Sequence, residues 1–130
     1  MKIAVIGAGY VGLVSAACFA ELGHEVITVD NDSEKIKLLI EGQVPIHENL
    51  LPELIHRHFG NRLRFSGDIV AAVEGSDVVF ITVGTPPSPN GEADLSVTQP
   101  DRLVQTALDV VLKHVNMLFP VLLPESGATR

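Results

Sequence analysis

Cys18 is the lone cysteine of this chain, so no internal disulfide can form and no cysteine pair can open a zinc site. That usage fits a reducing compartment, and the cytoplasm is the expected location. Tryptophan is absent and aromatic residues make up only 5%, which leaves Val, Ile, Leu and Ala to build the core. Basic residues are also scarce: nine Lys and Arg face sixteen Asp and Glu, for a formal net charge of −7. Surfaces for nucleic acid or anionic membranes carry a basic surplus, so neither partner is expected. A membrane span is not expected either. The apolar stretch at 3–20 has the look of a signal peptide, but Gly7, Gly9 and Gly12 would break a helix there. The stretch also falls short of a span of about 20 residues.

What is present describes a globular protein. Apolar residues at 46% and charged residues at 19% exclude a disordered chain, and 130 residues suit a single domain over 1–130. Residues 3–6 are a short continuous apolar run, the pattern of a strand buried on both faces. Residues 11–22 read as a helix with Val14, Cys18 and Leu22 stacked on its apolar side and Gly23 as its C-terminal cap. A second β-branched strand at 26–29 ends at Asp30. Asn31 then caps a helix with Glu34 in the manner of a capping box; Ile36, Leu39 and Ile40 form its stripe, and Gly42 ends it. Pro52 opens a short helix reaching Phe59, and residues 63–65 alternate as a strand nearer the sheet edge. Asp68 caps a brief helix ending at Gly75, and residues 78–83 form the next buried strand. The segment from 84 to 91 is irregular. Thr98 is read as the cap of a further helix, with Leu103, Val104, Ala107, Leu108 and Val111 on its buried face. The apolar run 117–123 reads as a last strand, with Pro120 counting against a central position. Alternating strands and helices imply an α/β fold: a Rossmann-type, doubly wound, mostly parallel sheet covered by helices on both faces. The first strand should be central, with the second on one side and the fourth on the other.

The sharpest signal is Gly7-Ala8-Gly9-Tyr10-Val11-Gly12, a G-x-G-x-x-G between a strand and a helix. Its glycines respectively turn the chain, let backbone approach a pyrophosphate, and let helix pack closely on strand. The helix N-terminus adds free N–H groups and the positive end of its dipole. Asp30 lies 18 positions after Gly12, near the offset expected of an acidic ribose ligand. A carboxylate there accepts ribose hydroxyls of NAD and repels the additional phosphate of NADP. The competing reading is plain: glycines kept for packing, and Asp30 as a turn or cap residue.

The segments MKIAVIGAGYVGLVSAACFAELGHEV, VD with Lys35, PIHE and VVFITVGTPPSPNGEADLS together resemble the UDP-glucose/GDP-mannose dehydrogenase family, from Met1 to about Ser96. The runs Val83-Gly84-Thr85-Pro86-Pro87 and Gly91-Glu92-Ala93-Asp94-Leu95 carry that resemblance more specifically than the glycine loop does. It implies an NAD-dependent oxidoreductase that converts UDP-glucose to UDP-glucuronate with two NAD and a thioester on cysteine. By position, the turn from Gly7 to Gly12 would hold the pyrophosphate, and Asp30 with Lys35 would address the adenosine ribose. Val83, Gly84, Thr85 and Pro86 would line the cofactor cleft. The family's substrate-binding half, with its catalytic cysteine, lysine and asparagine, has no counterpart here, so no catalytic residue is assigned. The nucleotide sugar would bind only with that missing half. A homo-oligomer is compatible with this reading, and a stand-alone, non-catalytic NAD-binding module is the alternative. Two departures stand out. The family follows PI with Tyr-Glu-Pro-Gly, whereas this chain reads His47-Glu48-Asn49-Leu50. The turn after the family's fifth strand carries a threonine facing the cofactor, which has no match in residues 121–130.

Other reactive residue types have plainer explanations. Cys18, expected on a packed helix face with no base beside it, reads as a buried structural thiol. His56 and His58 stand two apart on a helix and face different directions, so with His47 they are not expected to hold a metal. Arg57, Arg62 and Arg64 form a small basic cluster, expected to be solvated surface.

Overall fold

The N-terminal apolar run is an inner strand of a parallel sheet. The computed structural model describes residues 1–83 and 102–118, with side chains in the last helix described from 105 to 113. In chain order the elements are β1 (Lys2–Ile6), α1 (Tyr10–Glu21), β2 (Glu25–Val29), α2 (Ser33–Ile40) and α3 (Leu51–His58). They continue with β3 (Leu63–Ser66), α4 (Ile69–Glu74), β4 (Val78–Ile81) and α5 (Arg102–Leu118). The strands run in the order β3-β2-β1-β4, all parallel, with Ile6 level with Val29 on one side and Ile81 on the other. The expected central first strand, flanked by the second and fourth, is what forms. β3 lies outermost beside β2, as its alternating pattern suggested.

Two apolar cores cover the two faces. Ile3, Val5, Val26, Leu63 and Phe65 pack with Leu13, Ala16, Ala17, Ile36, Leu39 and Ile55 of α1, α2 and α3. Ala4, Ile6 and Val29 pack on the other face with Ile69, Ala72 and Val73 of α4 and Ala107 of α5. Successive strand residues point to opposite faces, so a continuous apolar run serves both layers. Thr28 is the exception: fully buried in β2, its hydroxyl has no hydrogen-bond partner among the described residues.

Several local expectations are corrected. Of Val14, Cys18 and Leu22 only Val14 packs on the core, and that partly; the buried residues of α1 are Gly12, Leu13, Ala16, Ala17 and Ala20, and Leu22 is 73% exposed. The helix is apolar on nearly every side, so spacing alone selects no stripe; the side made of small residues wins because it lets the helix settle closely on the sheet. Cys18 is therefore exposed rather than buried. The cap of α2 is Asp32, whose carboxylate accepts the Lys35 N–H at 3.1 Å, one position beyond Asn31. In that helix Ile36 and Leu39 are buried while Ile40 is exposed. Ala107 of α5 is buried as expected, but Leu108 is exposed. Met117 and Leu118 belong to α5 and do not begin a strand. The remainder of that proposed strand, the irregular segment from 84 to 91 and the Thr98 cap lie outside the described residues. Gly23 and Gly42 do follow their helices with φ of +100° and +86°, and Asp68 caps α4 by accepting the Ala71 N–H.

Candidate functional site

β1 ends at Ile6 and the chain turns through Gly7, whose φ of +107° suits glycine and whose N–H donates to the Val29 carbonyl at 2.7 Å. That bond ties the turn to the end of β2. Helix α1 then starts at Tyr10 with Gly9 as an extended N-cap that offers no side chain. Gly12, one turn into α1, faces back onto the turn. A methyl group there would lie 1.8 Å from the Gly7 carbonyl oxygen and 2.7 Å from Thr82 Oγ1. At Gly9 a methyl group would meet no atom of the described residues within 4 Å. The turn therefore has a closed inner side and an open outer side. On the outer side the first N–H groups of α1 lack intrahelical acceptors and the positive end of the dipole emerges. Tyr10 and Val11 stand exposed beside that opening.

Thr82 was not singled out from the sequence. Immediately after β4, its N–H donates to the Ile6 carbonyl at 2.8 Å. Its hydroxyl lies 3.0 Å from both the Ile6 and Gly7 carbonyl oxygens. It braces the turn from the neighbouring strand. The only sequence signal was a hydroxyl residue where a strand runs into a Gly-Thr-Pro segment.

Asp30, directly after β2, is 92% buried against the turn. Its Oδ2 accepts the Ala8 N–H at 2.9 Å and its Oδ1 accepts the Asp32 N–H at 2.9 Å. Lys35 Nζ stands 3.5 Å from Oδ2, a loose pair with the lysine partly exposed. Burial works against ionisation of this carboxyl, but the Ala8 and Asp32 N–H groups and the Lys35 charge outweigh it, so Asp30 sits below the usual carboxylate range. A carboxylate has about four acceptor positions, and these contacts leave room for hydroxyl donors. Gly7, Ala8, Gly9, Gly12, Asp30 and Lys35 are thus gathered at the carboxyl ends of β1 and β2, where sheets of this kind place ligands. Val83 follows Thr82 and packs partly buried over the α4–α5 face. Gly84, Thr85 and Pro86 lie outside the described residues.

The remaining candidates are occupied elsewhere. His56 Nε2 lies 2.8 Å from the Gly42 carbonyl oxygen, while His58 pairs with Glu21. Arg57 Nη1 holds the same Glu21 at 2.9 Å, and these two partners draw the Glu21 carboxyl below its ordinary range, His58 foremost. Of the basic cluster, only Arg62 and Arg64 line a groove of about 370 Å³, together with Lys2 and Glu25. That groove sits at the amino ends of the strands, at the opposite edge of the sheet from the glycine turn. Its walls carry both charges, so it stands apart from this site.

Comparison with known proteins agrees with this geometry. Residues 1–120 match the model of the UDP-glucose/GDP-mannose dehydrogenase family, NAD binding domain. The UDP-glucose 6-dehydrogenase TuaD of Bacillus subtilis is 46% identical over 116 residues, 88% of this chain and 24% of that protein. A UDP-glucose 6-dehydrogenase of Rhizobium meliloti is 54% identical over 98 residues, 74% of this chain and 22% of that protein. Among solved structures, a UDP-glucose dehydrogenase from the archaeon Pyrobaculum islandicum superposes with a TM-score of 0.70 at 37% identity, covering 89% of this chain and 26% of that one. The chain thus spans under a quarter of the length of these two curated relatives.

Proposed function

This chain belongs to the UDP-glucose/GDP-mannose dehydrogenase family, and from that premise we propose that it holds NAD for the oxidation of UDP-glucose to UDP-glucuronate. The observation that carries the reading is the open side of the glycine turn, where a methyl group on Gly9 would meet nothing among the described residues. Backbone there can approach a pyrophosphate without obstruction, and the α1 N-terminus favours its charge. Asp30 takes hydroxyls of the adenosine ribose on its free acceptor positions, and Lys35 shields the carboxylate from solvent. Val83, Gly84, Thr85 and Pro86 are assigned to the cofactor as well, on the family resemblance. Bound NAD supplies the hydride acceptor. The nucleophile and base that act on the sugar belong to a substrate-binding half beyond these residues, and the whole enzyme works in the cytoplasm.

Calorimetric titration of the 130-residue chain tests this. NAD should bind, weakly because only one wall of the cleft is present, and NADP should bind less well. Asp30→Asn should narrow that preference by removing the charge that repels the extra phosphate. Equal affinity of the unaltered chain for both cofactors would show the role given to Asp30 to be wrong. Adding UDP-glucose to chain and NAD should yield no NADH. A clear rate that disappears with Cys18→Ser would place the chemistry on this chain after all.

A further inference from the structure

Helices α1 and α3 lie side by side in the same direction, joined at both ends. At their carboxyl ends Glu21 of α1 holds Arg57 and His58 of α3. At their amino ends the Tyr10 hydroxyl donates to Glu48, three residues before α3. Between α2 and α3, residues 42–50 form a strap tied along its length. Gly42 is bonded to His56, Val44 and Ile46 pack on the core, and the Leu51 N–H donates to the Glu48 carbonyl at 3.2 Å. The strap's last residue, Leu50, has a left-handed φ of +67°, a conformation that a leucine adopts only when its surroundings hold it there. The Tyr10 contact thus marks where the strap meets α1, and the left-handed Leu50 marks where it turns into α3.

Tyr10 is the first residue of α1, adjacent to Gly9 and the open side of the turn. Anything that fixes its side chain also fixes the first turn of that helix, whose N–H groups face the opening. We propose that Glu48 is a positioning residue for the cofactor, holding the strap and the first turn of α1 together through Tyr10 so that the glycine turn is set before NAD arrives. Preorganisation of this kind raises affinity by lowering the ordering cost of binding, with no new contact to the ligand. The inference rests on the NAD-binding reading above. The Glu48 carboxylate also raises the Tyr10 phenol above the usual tyrosine range, first through the hydrogen bond and then through its charge.

The test uses the fact that Tyr10 is the only tyrosine and that tryptophan is absent, so absorbance near 295 nm titrates this one phenol. In the cofactor-free chain its midpoint should fall back toward about 10 in Glu48→Ala. Calorimetry should show NAD binding weakened about three- to tenfold by Tyr10→Phe and by Glu48→Ala. The double variant should be no weaker than either single one, because both remove the same link. Glu48→Gln, whose amide oxygen still accepts the hydroxyl, should bind NAD within about twofold of the unaltered chain. Thermal unfolding of each variant separates lost affinity from a lost fold. If the unaltered chain binds NAD and all four variants match it, the positioning role is overturned while the cofactor reading stands. Additive losses in the double variant would overturn it as well. If the unaltered chain binds no NAD, both readings fall, and the tyrosine titration still tells whether the Tyr10–Glu48 contact exists.

Discussion

Gly9 and Gly12 lie three residues apart in one turn, and a methyl group would do opposite things at the two. On Gly12 it would collide with the Gly7 carbonyl and the Thr82 hydroxyl; on Gly9 it would project into open space. Among the described residues, one side of the turn is packed as tightly as a protein interior and the other is open. The difference separates two explanations that a glycine motif always leaves mixed. Gly12 is explained completely by packing of helix on strand. Nothing in the packing of the described residues asks for glycine at Gly9, whose φ of −81° is open to other residues; on the proposed NAD-binding reading, its small size serves what approaches from outside.

The comparison breaks most visibly at Gly12. Gly12→Ala places a carbon against the Gly7 carbonyl, a backbone group that cannot yield, so we expect a loss of about 3 kcal/mol or more, enough to unfold much of a marginally stable chain. Urea unfolding followed by circular dichroism measures it; a midpoint close to that of the unaltered chain would mean that the inner side can open. Gly9→Val is the counterpart. It should leave the unfolding midpoint within about 1 kcal/mol, because its branched side chain meets no neighbour. NAD binding in calorimetry should nevertheless vanish, since the side chain occupies the approach to the turn. A variant that binds normally would return Gly9 to the packing explanation.

Thr82 sharpens the inner half of the comparison with a smaller effect. Thr82→Val keeps the shape but replaces the hydroxyl facing the Ile6 and Gly7 carbonyls with a methyl group. The expected cost is about 1–2 kcal/mol, from the lost bond and the crowding of a carbon against two oxygens. Thr82→Ser, which keeps the donor, should cost less. A greater loss in Thr82→Ser than in Thr82→Val would mean that the side-chain methyl matters more than the hydroxyl.

The contrast between the two sides also explains what could be read from the sequence. The order of strands, the turn, and Asp30 at the end of β2 were legible because glycine spacing and β-branched runs have few structural meanings. Thr82 was not, since its role exists only once β4 lies beside β1 and brings residues 75 and 76 positions apart together. The inner face of α1 was misread because a helix apolar all round has no preferred stripe. Only contact with the sheet selects the small side and leaves Cys18 outside. Asn31 and Asp32 are both good caps, so sequence could not decide a shift of one position. The Tyr10–Glu48 link depends on α3 lying parallel to α1, which no periodicity encodes.

The smallest expected effect concerns the strap on the open side. The chain reads His47-Glu48-Asn49-Leu50 where the resembling family has Tyr-Glu-Pro-Gly, so Leu50 occupies the place of the glycine. It does so with φ of +67° and ψ of −9°, a region that costs a residue with a Cβ about 1–2 kcal/mol. Leu50 is 58% exposed and so returns only part of that through burial. Glycine would remove the strain but would give the unfolded chain more freedom, worth about 0.5–1 kcal/mol in the opposite direction. Leu50 is also the N-cap of α3 and makes no side-chain capping bond, so its replacement by glycine sacrifices none. The strain term is the larger, and Leu50→Gly should stabilise the fold by about 0.5 kcal/mol, raising the thermal midpoint by a few degrees at most. Leu50→Ala should not, because it keeps the Cβ and discards the apolar contacts. If alanine stabilises as much as glycine, the leucine side chain and not the backbone is the source of the strain.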